Sequence, residues 1–375
     1  MANVLFVLPW VYHDENRRDY DASQEWRCGP YNVLLILTML QKAGHRVRLV
    51  DLQREVIRHL GNVDAALGVL TAAIADLKPD IIGFSFFSVH YFEVQQAVAT
   101  ARAACRKLGM APMFIAGGIH ASIDPRSTIE ELGFDFAFNG EGELGMVALA
   151  DGATPLSVPG VVGRGTLSLT GCAQPKGLQV QHLDDLPFPD WSLCDYAFYA
   201  APSYARLKVR MTSSLDLMMG RGCVYHCTFC AYNALSSVRF NSAEYLVDQV
   251  ARMARDYAVN SVYFLDSTIG NNRKLIIAFC EEMLRRGLEK QVSWMANIRP
   301  NQITRELLEL MRRAGCCYLF YGFDSNSQRV LDLMSKGCRV EHNEMAAQLH
   351  NEMLFPYNAS FIAGFNVAVS IPRPD

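Results

Sequence analysis

The sequence predicts an α/β protein in two parts: a doubly wound, Rossmann-like parallel sheet, then a partial (β/α) barrel. Three observations carry this. In the first 150 residues, runs that are apolar throughout recur with one helical pattern between each pair. Such strands are buried on both faces, as in a parallel sheet covered by helices. A second strand–helix series begins near residue 213 and repeats with the rhythm of a barrel. Between the two, residues 151–210 are rich in proline and glycine and show little periodicity.

The elements follow in order. VLFVLP (4–9) reads as the first strand, and NVLLILTMLQKAG (32–44) as a helix closed by Gly44. RVRLVDL (46–52) is the second strand, and a helix spans 63–77. Lys78-Pro79-Asp80 stops that helix before strand three, IIGFSFF (81–87). A helix over about 91–108 leads to MFIAGG (113–118), and FDFAFNGEGE (134–143) supplies strand five. Residues 151–210 read as an ordered linker with a small hairpin. LDLMMG (215–220) then enters a cysteine-bearing loop, and Asn241-Ser242-Ala243-Glu244 resembles a capping box opening a helix. SVYFLD (261–266), VSWMA (292–296) and CYLFYGF (317–323) are later strands, separated by LIIAFCEEMLRRG (275–287) and TRELLELMRRAG (304–315) as helices. The predicted domains are therefore 1–150, a linker at 151–210, and 211–375.

Composition narrows the function classes. The formal charge is −3 and no block of Lys or Arg stands out, so nothing asks for nucleic acid. No apolar run reaches the roughly 18 residues of a membrane helix. The N-terminal MANVLFVLPW lacks the basic flank of a signal peptide, so the expected location is cytoplasmic. In a reducing compartment the eleven cysteines are read as chemistry or packing rather than disulfides. Eight are scattered (Cys28, Cys105, Cys172, Cys194, Cys280, Cys316, Cys317 and Cys338) and read as small buried hydrophobes.

The other three decide the chemistry. Gly220-Arg221-Gly222-Cys223-Val224-Tyr225-His226-Cys227-Thr228-Phe229-Cys230 places three thiols within eight residues, spaced Cys-x3-Cys-x2-Cys, in a loop directly after a strand. Glycines allow close backbone approach to one compact metal centre. Three thiolates do not complete a structural zinc site unless His226 or a distant cysteine joins them. A four-iron, four-sulfur cluster on three cysteines leaves one iron open to a chelating substrate.

This spacing, with an aromatic before the third cysteine, resembles the radical S-adenosylmethionine superfamily. The resemblance implies a [4Fe-4S] cluster on Cys223, Cys227 and Cys230, whose open iron binds the amino and carboxylate groups of S-adenosylmethionine. Reductive cleavage then yields a 5′-deoxyadenosyl radical, and Phe229 packs near the adenine. Further matches fall at later strand ends: Phe264-Leu265-Asp266, Trp294-Met295-Ala296-Asn297-Ile298-Arg299 and Gly322-Phe323-Asp324-Ser325. By resemblance Asn297, Arg299 and Asp324 touch the cofactor. Three departures are notable. Asp324 stands where relatives carry Glu, and Ser267 where a second acid is common. FIAGFNVAVSIPRPD replaces the usual glycine–proline–glycine–acid continuation of the fifth strand, so a truncated barrel lacking its last strand is expected.

The first domain resembles the cobalamin-binding domain of cobalamin-dependent radical enzymes. Gly117-Gly118-Ile119-His120 and Gly140-Glu141-Gly142-Glu143 stand at the ends of strands four and five, where glycines let a corrin or its nucleotide tail approach the backbone. Gly117, Gly118, His120, Gly140 and Glu141 are candidate contacts, and Ser85, Ser88 and His90 are candidate wall residues near strand three. The D-x-H-x-x-G motif for a lower histidine ligand is absent, and His13 reads as a loop histidine. Methylthiotransferases carry three further cluster cysteines in this domain, whereas only Cys28 and Cys105 occur here.

The resemblance implies a cobalamin-dependent radical S-adenosylmethionine methyltransferase, acting on an unactivated carbon or phosphorus centre of a small molecule such as a natural-product or peptide precursor. An electron donor such as flavodoxin or ferredoxin is the expected partner. The alternatives are a cobalamin-binding cyclase or rearrangement enzyme, and a non-catalytic cofactor-binding remnant.

Overall fold

The computed structural model describes residues 1–10, 29–167, 176–201, 212–231 and 237–365. They gather into two compact units that divide near residue 205.

The first unit is built on a six-stranded sheet. Its strands are β1 (Asn3–Leu8), β2 (Arg46–Asp51), β3 (Ile81–Ser85), β4 (Met113–Gly117), β5 (Phe136–Phe138) and β6 (Val161–Gly163). The spatial order is β2-β1-β3-β4-β5-β6. All pairs are parallel except β5–β6, which is antiparallel. The chain turns outward in both directions from the β1–β3 pair, so the crevice at their carboxyl ends is where ligands of such sheets bind. Leu5, Val7, Ile82, Phe84, Phe114 and Ala116 lie in the core with the apolar faces of the helices Val63–Leu77 and Tyr91–Lys107.

Two expectations shift here. Strand five shortens to Phe136–Phe138, because Gly140 adopts φ +93° and turns the chain out of the sheet. The glycine–acid run thus forms the loop before the helix Glu143–Ala150. Within residues 151–210, read as an ordered linker, Val161–Gly163 supply β6 to the sheet edge, and Leu183 and Leu186 pack on Leu35. Trp191 is fully buried there, and the Tyr199 hydroxyl donates to the buried Asp51 carboxylate.

The second unit carries five parallel strands: β7 (Ser214–Leu217), β10 (Ser261–Phe264), β11 (Ser293–Ile298), β12 (Cys316–Asp324) and β13 (Tyr357–Phe361). A two-stranded ribbon of β8 (Gly220–Arg221) and β9 (Arg239–Phe240) brackets the cysteine loop. Each strand pairs with the next in sequence across an intervening helix, which is barrel progression. The fifth strand ends at Phe361, the first residue of the FIAGFNVAVS segment, and residues 366–375 lie outside the described residues.

Local chemistry places the helices. Ser242 Oγ accepts from Tyr245 N at 3.1 Å, opening the helix Ala243–Tyr257. Asn272 caps Arg273–Arg286 through Leu275 N at 3.1 Å, and Gly287 at φ +66° ends it. Behind the sheet Phe279 sits between Phe264 and Trp294, with ring centroids 5.4 and 5.5 Å away. Trp294 Nε1 donates to Ala314 O at 2.9 Å.

Phe279 is fully buried, so Phe279→Ala should remove about 3–5 kcal/mol of stability by opening a cavity. Phe279→Leu should lose less than half of that. Denaturant unfolding followed by tryptophan fluorescence checks both, and equal losses would contradict the packing described.

Candidate functional site

The parallel direction of the second sheet brings the carboxyl ends of β7, β10, β11 and β12 to one edge, and a cavity of about 380 Å³ opens there. Cys223, Cys227, Cys230, Phe229, Asn297, Arg299 and Asp324 all line it. Seven residues spread over about 100 positions of sequence, chosen by motif, thus meet around one space.

The cysteine loop is held from two sides. Asp266, buried at the end of β10, accepts Met219 N and Gly220 N at 2.8 Å each, fixing the exit of β7. Thr228 N donates to Met334 O at 2.9 Å. Cys227 is buried, while Cys223 and Cys230 are half-exposed toward the cavity. Among the described residues no three His, Cys, Asp or Glu side chains stand close enough to share a single metal ion. All three cysteines line the same cavity. In a four-iron cluster each of three thiolates takes a different iron, whereas a structural zinc site needs four ligands converging on one point. The donor set therefore fits the cluster, with the cavity adjoining it.

The other wall is polar. Asn297 Nδ2 donates to Asp266 O at 2.8 Å and to the Tyr263 hydroxyl at 3.0 Å, so its amide is fixed in place. Arg299 is buried, with its guanidinium 3.5 Å from the centre of the Tyr225 ring and Nη1 3.5 Å from Cys227 Sγ. Asp324 adopts φ +61° where the β12–β13 register shifts. A short acidic side chain tolerates this left-handed backbone better than a long one, a local reason for Asp at this position. Its carboxylate pairs with Lys336 Nζ, and both side chains are 7% exposed.

Sequence reasoning missed Lys336, Tyr225 and Gln302. Lys336 stands in an irregular Met-Ser-Lys-Gly segment with no periodicity to mark it. Gln302 Nε2 donates to the Tyr225 hydroxyl at 3.2 Å, a pairing that only the fold reveals. Cys338, read as a packing residue, is buried as expected but lies 3.4 Å from Arg299 Nη2.

The first unit holds the second set of residues. Ser85 ends β3, Gly117 ends β4, and Gly140 and Glu141 follow β5, so all stand at one sheet edge. Gly117 faces open space: a Cβ there would meet only Phe84 O, at 3.8 Å. Gly118 differs. Its φ is +89°, and a Cβ would lie 2.8 Å from Phe86 N and O, so the close approach it permits is by its own chain. His120 is buried, with Nδ1 2.9 Å from Ser88 Oγ and Nε2 3.1 Å from Ser127 Oγ. Both ring nitrogens are engaged, and burial holds its pKa below the usual value, which makes it a neutral brace between loops. His90 accepts from Phe87 N at 3.1 Å. His13 and Cys28 lie outside the described residues. The same edge exposes Phe87, Val89 and Phe92, at 52%, 75% and 76%. These apolar side chains suit the face of a corrin, and no motif had marked them.

Comparison with known proteins follows the same division. The B12 binding domain family matches residues 20–150, and the Radical SAM superfamily matches residues 217–367. The anaerobic magnesium-protoporphyrin IX monomethyl ester cyclase of Cereibacter sphaeroides is 27% identical over 97% of this chain and 57% of its own length. The cytidylyl-2-hydroxyethylphosphonate methyltransferase of Streptomyces wedmorensis is 24% identical over 89% of this chain and 68% of its own. The chain thus spans little more than half of the cyclase. Among solved structures, the radical S-adenosylmethionine methyltransferase TsrM from Kitasatospora setae superposes with a TM-score of 0.71 at 18% identity, covering 95% of this chain and 66% of that one. Among the described residues no helix is long and apolar enough to cross a membrane.

Asp266 gives the site a pH signature. Burial pushes its pKa from 3.8 up to about 7, against the pull of the two backbone N–H groups. The folded chain then keeps a proton that the unfolded chain releases above about pH 4, so stability falls as pH rises from about 4 to about 7 and levels beyond. Asp266→Asn should lose that dependence. Denaturant midpoints of both proteins across this window check it, and a wild-type advantage that grows with pH would contradict the assignment.

Proposed function

Because the chain belongs to the cobalamin-binding radical S-adenosylmethionine enzymes, with a B12 binding domain ahead of a radical SAM domain, we propose that it is a cobalamin-dependent methyltransferase acting on an unactivated carbon or phosphorus centre of a small molecule. The single observation that carries this is the cavity in which three motif thiols meet Phe229, Asn297, Arg299 and Asp324. In this reading Cys223, Cys227 and Cys230 hold a [4Fe-4S] cluster, and Phe229, 41% exposed at the mouth, is free to pack on adenine. Asn297 and the Asp324–Lys336 pair offer polar partners to the amino-acid end of S-adenosylmethionine. In the first unit Gly117, Gly140 and Glu141, with Ser85 and Ser88, form the wall for cobalamin, while Gly118 and His120 shape the loops behind it. When bound, the cluster supplies the electron that reductive cleavage needs, and cobalamin supplies a cobalt able to carry a methyl group. A flavodoxin or ferredoxin delivering one electron in the cytoplasm completes the proposal.

A second reading is cyclisation without methyl transfer, favoured by the cyclase that is 27% identical over nearly the whole chain. Methyl-labelled S-adenosylmethionine separates the two. With hydroxocobalamin and dithionite, a methyltransferase forms both S-adenosylhomocysteine and 5′-deoxyadenosine, whereas the cyclase reading gives deoxyadenosine alone with the label retained in methionine. Replacing Cys223, Cys227 and Cys230 together by Ala should abolish deoxyadenosine. Neither product, from protein carrying about four irons per chain, would contradict both readings.

Gly117 gives a separate test of the cobalamin wall. The fold has room for a side chain there, so Gly117→Leu should leave thermal stability near wild type while reducing hydroxocobalamin retention in equilibrium dialysis at least about tenfold, ~1.4 kcal/mol. Unchanged retention would move the corrin away from the end of β4.

A further inference from the structure

Among the described residues, Arg299 is a cation buried without an acid in contact with it. Its side chain is enclosed, 6% of the residue being exposed. Nη1 points to Cys227 Sγ at 3.5 Å, and Nη2 to Cys338 Sγ at 3.4 Å and to the Lys336 carbonyl. The guanidinium plane stacks on Tyr225, which Gln302 holds by its hydroxyl, and Arg299 N donates to Gln302 Oε1 at 3.2 Å. Nε is buried with no acceptor. The acid of the same cavity, Asp324, is already paired with Lys336. A guanidinium removed from water and left without a counter-charge is strongly unfavourable. Two sulfurs stand against it, and one of them belongs to the cysteine motif.

Resting on the reading that the three motif cysteines hold a cluster, we propose that Arg299 is a positioning residue for that cluster: it donates a hydrogen bond to the iron-bound sulfur of Cys227 and supplies the positive charge against which the cluster accepts its electron. Thiols become thiolates when they bind iron, so loading the site creates the negative partner that Arg299 lacks. Reduction adds one electron, drawn from a low-potential donor, and breaks no bond. A cation and an N–H group directed at a ligand sulfur favour that more negative state and raise the potential. Tyr225 and the Lys336 carbonyl hold the guanidinium in its orientation, and Cys338 caps its far side. This role is distinct from contact with S-adenosylmethionine, because it operates before that molecule binds.

The test uses the reconstituted full chain without S-adenosylmethionine. In wild-type protein carrying ¹⁵N-labelled arginine, pulsed EPR of the reduced cluster should show a weak coupling to guanidinium nitrogen, and its absence would overturn the proposal. Arg299→Gln should lower the ratio of reduced to oxidised cluster at a fixed potential about tenfold, a shift of ~59 mV for one electron. Arg299→Lys, which keeps the charge and loses the fork, should fall between. Iron and sulfide near four of each per chain, in wild type and variant alike, keep this result separate from the cysteine assignment itself. An unchanged ratio in Arg299→Gln at full iron content would overturn the proposal. Should Arg299→Gln fail to load, the wild-type coupling and Arg299→Lys decide the matter.

Discussion

Parallel pairing is the constraint on which the rest of each unit depends. A parallel strand returns to the same edge only through a crossover, so every strand in the series ends at one rim, and the loops leaving that rim are neighbours whatever their separation in sequence. In the second unit this makes neighbours of Cys223, of Asn297 and Arg299, and of Asp324, which come from three different strand ends. In the first unit the same rule assembles Ser85, Gly117 and Gly140. An antiparallel sheet of the same segments would send alternate loops to opposite edges and dissolve both sites.

The second unit also shows how buried charge is settled around a site. Asp266 keeps both carboxylate oxygens on backbone N–H groups, and so ties the cysteine loop to β10 rather than to a cation. Asp324 and Lys336 neutralise each other. Arg299 is left facing sulfur. The three arrangements differ in what they ask of a ligand. The first asks nothing, the second can exchange partners with an amino acid's own charges, and the third is completed by negative charge on Cys227.

Much of this was legible in the sequence, for definable reasons. Continuous apolar strands announced both sheets, and the Cys-x3-Cys-x2-Cys spacing, followed by the Asn297, Arg299 and Asp324 motifs, announced the site. What could not be read were contacts made by irregular segments. Lys336 carries no periodic mark, and the role of Gly118 became clear only with Phe86 packed against it. His120 sat in a plausible motif, yet its two serine partners come from a different loop and a different helix. The described part of 151–210 carried little rhythm because its short elements lean on the helix Tyr31–Lys42, Leu183 and Leu186 on Leu35 and Asp190 N on the Thr38 hydroxyl, rather than building a face of their own. Asp324 was visible as a departure from Glu, but its reason, a left-handed backbone at a register shift, is conformational.

The central claim is that three thiolates hold four irons and leave one of them open. Mössbauer spectroscopy of the chain reconstituted with ⁵⁷Fe tests it most directly. A cluster on Cys223, Cys227 and Cys230 gives a spectrum in which adding S-adenosylmethionine changes one iron in about four, by raising its coordination number, and leaves the others as they were. A spectrum that is indifferent to S-adenosylmethionine, or one showing a fully ligated cluster or isolated iron, would contradict it.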